Sequence, residues 1–183
     1  MEMITVYTKQ DARMLPPLRN SGRHTAKREL VMQNEDSLLQ RPAYDWLAAH
    51  HPDRANRPAD ADYPIWVSFA ADTTPLPGEG FVILELRVDP RLITKINIAK
   101  WGAVNNCSYI PRDSADAAAH RKKMEAMGIS DVKACTTRFY PELRQEIEES
   151  WLRLFDESIQ LGNDLAYGLI WEIREEWIVR VIA

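Results

Sequence analysis

The sequence is poor in glycine, and its few glycines form none of the common phosphate-binding patterns. Its 183 residues contain seven glycines, scattered along the chain. There is no G-x-x-x-x-G-K loop, no G-x-G-x-x-G fingerprint and no G-x-S-x-G nucleophile elbow. A Walker-type nucleotide site, a Rossmann dinucleotide site and an α/β-hydrolase nucleophile are therefore excluded as starting hypotheses.

Metal-ligating patterns and long apolar runs are also missing. The four histidines show neither H-x-H nor H-E-x-x-H spacing, and Cys107 and Cys135 do not form a zinc pattern. We therefore expect no metal. No run reaches about 18 apolar residues, so no membrane-spanning helix is predicted. Met1–Gln10 lacks the apolar middle of a signal peptide, and a cytoplasmic location is expected.

The charge balance is mildly acidic, with a formal net charge of −4. This argues against nonspecific binding to nucleic acids or acidic membranes as the main role. One basic cluster stands out against this background. It has two interpretations, a solvated face or a phosphate contact, and its members are Arg19, Arg23, His24, Lys27 and Arg28.

The chain is long enough for one well-formed core, because 45% of its residues are hydrophobic. We predict a single domain over 1–183 with a peripheral helical segment at about 112–130. In that segment, Asp113 or Ser114 can cap a helix that runs to Met127 and ends at Gly128.

The clearest local pattern lies between Tyr63 and Ile98. Ile65–Phe69 is a short apolar run, and Phe81–Val88 alternates apolar and polar residues before Asp89-Pro90 ends it. The Pro/Gly-rich segment between the two runs predicts that they form a β-hairpin.

Further elements are predicted on both sides of this hairpin. Strands are predicted at Ile4–Thr8, Leu169–Ile173 and Trp177–Ile182, and Leu92–Ile98 is either a short strand or a turn. Helices are predicted from Pro16 to Asn20-Ser21-Gly22, from Pro42 to His50, and over Pro141–Gln160. In the last helix, the spacing of Trp151, Leu154 and Phe155 predicts core positions.

One polar residue interrupts an apolar strand pattern near the end of the chain. Glu172 lies between Trp171 and Ile173. It can face solvent on a half-exposed strand, or it can place a carboxylate at the floor of a cleft and stabilise a cationic transition state.

Several segments together resemble a bacterial family known as domain of unknown function 3841. They span nearly the whole chain, although the family pattern has a histidine after the middle tryptophan where this chain has Gly102. The matching segments are Val6–Gln10, Tyr63–Trp66, Trp101 with Asn105, Ser150–Asp156 and Trp171–Ile173.

The order of parts is also similar to that of small mono-ADP-ribosyltransferases, which cleave the nicotinamide–ribose bond of NAD through an oxocarbenium-like state. This resemblance implies that Tyr7 or Thr8, Ser68 and Glu172 fill the catalytic positions. The first strand, however, offers neither Arg nor His. If NAD is the substrate, we expect contacts to it from Thr8 and from Trp66, Trp101 and Asn105, which belong to the segments that resemble family 3841.

These observations lead to an α+β fold, with a mostly antiparallel, split or sandwich-like sheet core and flanking helices. The leading functional hypothesis is an ADP-ribosyltransferase-like enzyme that consumes NAD and modifies a protein or nucleic-acid acceptor. The alternative is a non-catalytic protein-interaction module of a conflict system between bacteria and mobile elements. A third hypothesis is RNA or nucleotide binding through the Arg19–Arg28 cluster.

Overall fold

A computed structural model of the chain describes residues 2–33 and 35–183, with the backbone alone over 35–38. The described chain forms two compact units. The first comprises Met1–Lys95 and Ala166–Ala183, and the second comprises Ile96–Leu165.

The central element is a six-stranded antiparallel sheet, and the chain has the predicted α+β fold. Its strand order is β5-β6-β3-β1-β4-β8. Its strands are β1 (Ile4–Asp11), β3 (Ile65–Ser68), β4 (Phe81–Val88), β5 (Thr94–Asn97), β6 (Ala166–Ile170) and β8 (Ile178–Ile182). Two short strands, β2 (Arg23–His24) and β7 (Ile173–Arg174), form a separate antiparallel pair.

The predicted hairpin between the third and fourth strands does not form. Strand β1 lies between β3 and β4 and pairs with both of them. Its register with β4 runs without a break from Ile4 opposite Val88 to Asp11 opposite Phe81. The Pro/Gly-rich connection is long enough to cross a strand, so β1 occupies the position that a hairpin partner would take.

In the first unit, the helix start predicted near Pro16 is confirmed, and the one predicted at Pro42 is wrong. Helix α1 (Leu15–Ser21) has Pro in its first turn and ends at Gly22, whose φ of 76° suits glycine. Helix α2 (Arg28–Val31) is a single turn. Helix α3 (Glu35–His50) begins before Pro42, which was expected to open it. Pro42 removes one backbone hydrogen bond, but burial of Trp46 and Leu47 anchors the later turns.

The second unit is helical. Its helices are α4 (Ile98–Asn105), α5 (Ser114–Met127), α6 (Asp131–Thr136) and α7 (Pro141–Ser150). Helix α5 has the predicted caps, because the Asp113 side chain accepts from the Asp116 N–H and Gly128 closes the helix with a φ of 64°.

The long helix predicted over Pro141–Gln160 is shorter than expected. It ends at Ser150 and continues as a 3₁₀ segment, Trp151–Phe155. Trp151 and Leu154 are buried as predicted, but Phe155 is only half-buried. A 3₁₀ segment has 3.0 residues per turn, so the side-chain directions depart from those of an α-helix.

Candidate functional site

Glu172 does not lie inside a strand, which corrects the expectation that Leu169–Ile173 is continuous. Strand β6 ends at Ile170, the chain bends at Trp171, and Glu172 precedes β7. The bend occurs because Ile173 leaves the main sheet and pairs with His24 of β2. Glu172 thus lies where the chain passes from one sheet to the other.

The Glu172 carboxylate is held between two arginines. Its side chain is only 14% exposed, Oε2 accepts from Arg23 Nη1 at 3.2 Å, and Oε1 accepts from Arg174 Nε at 2.7 Å. Arg23 and Arg174 are direct partners in the β2–β7 pair, where two like charges would repel each other. The carboxylate between them offsets this repulsion and is itself fixed in place.

Further contacts hold the two arginines. Arg23 Nη2 donates to Asp60 Oδ1 at 2.8 Å, and the Arg174 guanidinium lies 5.2 Å from the Trp177 ring centroid. The hydrogen bond with Glu172 and the charge of Asp60 raise the pKa of Arg23. We call Arg23, Asp60, Glu172 and Arg174 the Glu172 site.

Most of the basic cluster around this site is matched by acidic groups. Lys27 Nζ donates to the Asp60 carbonyl and lies 3.8 Å from its carboxylate, and Arg28 Nη2 lies 3.1 Å from Asp45 Oδ1. These ion pairs lower the net charge of the surface. They favour the interpretation of the cluster as a solvated face over a phosphate-binding one.

Tyr7 and Ser68, two of the predicted catalytic residues, are brought together by the sheet. They are direct partners in the β1–β3 pair. Ser68 is 2% exposed, and its hydroxyl bonds with Thr74 Oγ1 and donates to the Ala70 carbonyl at 3.1 Å. The hydroxyl is therefore occupied by internal hydrogen bonds and does not open onto a cleft.

Thr8 and Trp66 are neighbours in the same two strands. The Thr8 side chain is 2% exposed and donates from Oγ1 to the Trp66 carbonyl at 2.7 Å. This hydrogen bond links β1 to β3. The Thr8 side chain therefore stabilises the pairing of these two strands.

The sheet register separates this group from Glu172. Ser68 pairs with Tyr167, whereas Ile65, at the other end of β3, pairs with Ile170. Three residues of strand span about 10 Å, and Glu172 lies beyond that end. The predicted set of Glu172 with Tyr7 and Ser68 is therefore not assembled at one place.

The two remaining predicted NAD contacts, Trp101 and Asn105, belong to helix α4 in the second unit. Trp101 is 6% exposed and contributes to the core of that unit. Asn105 Oδ1 is buried, and within the described residues it has no hydrogen-bond partner.

A cavity that the sequence analysis missed lies at the end of α3. It has a volume of about 580 Å³ and is lined by Ala48, Ala49, Pro52, Arg54, Ala55 and Arg57. We call it the arginine cavity. The polar, proline-bearing stretch 51–62 predicts only a loop. The spacing of Arg54 and Arg57, three residues apart and close to several alanines, is the feature from which a basic site could have been predicted.

A second cavity of about 420 Å³ is lined by Arg28, Glu29, Met32, Arg41 and Asp62. Arg28 and Arg41 both contact Asp45, and the lining itself includes the acidic residues Glu29 and Asp62. Its positive charges are thus already balanced.

Across residues 2–33 and 39–183, no cluster of three or more His, Cys, Asp or Glu side chains could hold a metal ion. The helices described here include none with the length and apolar character needed to cross a bilayer.

The chain belongs to the family described as domain of unknown function (DUF3841), whose model matches residues 5–179. No curated protein and no solved structure matches it.

Proposed function

We propose that the chain is an ADP-ribosyltransferase-like enzyme that cleaves NAD at the nicotinamide–ribose bond and transfers ADP-ribose to a macromolecular acceptor. The observation that carries the proposal is the Glu172 carboxylate, which is 14% exposed and fixed by two guanidinium groups. A carboxylate that is shielded but reachable from solvent suits the stabilisation of a developing positive charge.

The reaction needs a carboxylate at the step in which the nicotinamide–ribose bond breaks. When the C–N bond breaks, its electron pair leaves with nicotinamide and positive charge develops on the ribose. A nearby carboxylate gains interaction energy that it did not have with the ground state. A nucleophilic oxygen, nitrogen or sulfur of the acceptor then bonds to the ribose carbon and releases its proton.

The arginines give the site a second chemical property. Arg23 and Arg174 are 44% and 49% exposed, so their outer N–H groups can donate hydrogen bonds to oxygens of the ribose that bears nicotinamide. In this proposal they act beside Glu172 in place of Tyr7 and Ser68, to which the resemblance gave catalytic positions.

The test is nicotinamide release by the intact chain, with a cell extract as the source of acceptor. We expect Glu172→Gln to lower turnover roughly 10²-fold, or about 2.7 kcal/mol of transition-state stabilisation, with NAD affinity nearly unchanged. The ion pairs lost are partly exposed, so the free energy of unfolding should change by no more than about 1 kcal/mol.

The matched control is Glu176→Gln. Glu176 also contacts Arg174, at 3.8 Å, but its side chain is 73% exposed. We expect this variant to keep wild-type turnover. The proposal is wrong if the wild-type chain neither binds NAD nor releases nicotinamide, or if both glutamine variants behave alike.

The interaction-module alternative is favoured by a different feature, the edge strand β8. Within the described part of the chain no strand pairs with its outer side, and Val179 and Val181 are 57% and 38% exposed. An extended segment of a partner protein could add a strand here. This function would replace the first one if NAD failed to bind.

A further inference from the structure

We propose that the arginine cavity is a binding site for the phosphate groups of a nucleotide-sized ligand. The cavity lies within the first unit and is formed by the end of α3, Pro52 and the 3₁₀ segment Arg54–Asn56 together with Arg57. The cavity is open to solvent, because all of its lining residues except Ala48 are exposed, and its volume of about 580 Å³ is within the range of small-molecule sites, roughly 300–1,000 Å³.

The charge of this cavity differs from that of the other arginine-rich surfaces. Arg23, Arg28 and Arg174 each contact a carboxylate. Among the described ion pairs, none involves Arg54 or Arg57. The nearest carboxylate in sequence, Asp53, instead accepts a hydrogen bond from Asn56 Nδ2 at 2.5 Å. Among the side chains that the structure describes, no carboxylate pairs with the two arginines that line this cavity.

One of the two guanidinium groups is already held in position. Arg57 Nε donates to the Ala61 carbonyl at 2.6 Å, and its guanidinium lies 5.6 Å from the Trp171 ring centroid. Trp171 is itself fixed, because its Nε1 donates to the Asp53 carbonyl at 3.1 Å and its ring contacts buried His51. Side chains ordered in advance lose less conformational entropy when they bind a ligand.

The lining indicates the class of ligand. Guanidinium groups match the geometry of phosphate oxygens and can bind them bidentately. The rest of the lining, Ala48, Ala49, Pro52 and Ala55, is small and apolar, and it offers a surface for the flat body of a base. A nucleoside diphosphate combines these two properties, because it carries a charged diphosphate at one end and an aromatic base at the other.

The cavity is also connected to the Glu172 site through the chain. Arg57 packs on Trp171, and Glu172 is the next residue. If the proposed function holds, and this step rests on it, the ADP half of NAD is the part that the arginine cavity binds.

The test is isothermal titration of the intact chain with ADP, inorganic pyrophosphate and adenosine near physiological salt. We expect ADP to bind at least tenfold more tightly than adenosine, and pyrophosphate to compete with ADP. Arg54→Gln and Arg57→Gln should each weaken ADP binding about tenfold, and the double variant should weaken it further. Arg57→Lys keeps the charge but not the bidentate geometry, so its affinity should lie between wild type and Arg57→Gln.

The matched control is Arg87→Gln, which removes an exposed arginine from β4 of the same unit. Its ADP affinity should equal that of the wild type. Thermal midpoints without ligand identify any variant that fails to fold, and Arg54→Gln alone decides the question if Arg57→Gln does fail.

Three results would overturn the proposal: no ADP binding by the wild type, equal binding of adenosine and ADP, or equal weakening by Arg87→Gln and Arg54→Gln. These outcomes are independent of nicotinamide release. The chain can bind ADP at this cavity without cleaving NAD, and it can cleave NAD with Arg54 and Arg57 making no contribution.

Discussion

Trp151 is the residue whose replacement should most clearly report the packing of the second unit. Its side chain is 5% exposed, and its indole Nε1 donates to the Ser108 carbonyl at 2.8 Å. A Trp-to-Ala change in a core costs about 3–5 kcal/mol, and an unsatisfied hydrogen-bonding group adds about 1–3 kcal/mol. Because such terms are not fully additive, we expect Trp151→Ala to lower the free energy of unfolding by about 4–6 kcal/mol.

Two further variants separate packing from hydrogen bonding. Trp151→Phe keeps a six-membered aromatic ring but removes the N–H donor, and we expect the free energy of unfolding to fall by about 1–3 kcal/mol. Leu152→Ala is the control, because Leu152 is 51% exposed and directly follows Trp151. Its effect should stay within about 0.5 kcal/mol.

The measurement is urea unfolding followed by far-UV circular dichroism and by tryptophan fluorescence. The chain has two compact units, so a two-state free energy is taken only where the two signals coincide. A loss below about 1 kcal/mol for Trp151→Ala would show that this face is not part of a packed core.

Two other predictions concern the first unit and local geometry. Gly168→Ala should lower the free energy of unfolding by about 1–3 kcal/mol, because the new Cβ would lie 2.5 Å from Ile93 Cγ2. Gly102 has open space around it, so Gly102→Ala should leave the free energy of unfolding unchanged or raise it in the same urea assay. Burial lowers the pKa of His51 to about 4, and its Nδ1 accepts from the Asp53 N–H, so the folded state favours the neutral ring. The unfolded chain takes up this proton first as the pH falls, so stability should decline between about pH 6.5 and 4, by up to about 3 kcal/mol. His51→Asn should flatten this part of the stability profile, and an unchanged profile would contradict the assignment.

The local parts of the fold follow from local patterns. Strand β4 has the predicted bounds, because its alternation, the turn before it and Asp89-Pro90 after it all lie within a few residues of each other. The caps of α5 and the end of α1 at Gly22 were predictable for the same reason. Each depends on backbone groups that must be satisfied within one turn of the chain.

The strand order could not be predicted in this way. Strand β1 separates β3 from β4, although β3 and β4 are consecutive strands along the chain. Either arrangement satisfies the same alternation pattern. The choice depends on which pairings bury the most apolar surface across the whole sheet, and a local pattern does not contain that comparison.

The candidate site, like the fold, could be predicted from the sequence only in part. The sequence singled out Glu172 as a polar residue within an apolar run, and the structure places it in a largely shielded position. Its partner Arg23 is 149 residues away along the chain, and the pairing exists because β7 leaves the main sheet for β2. The arginine cavity likewise depends on how Arg57 packs against Trp171. Residue type and local spacing identify a carboxylate or an arginine, but its neighbours are set by contacts between distant segments, which only the tertiary structure decides.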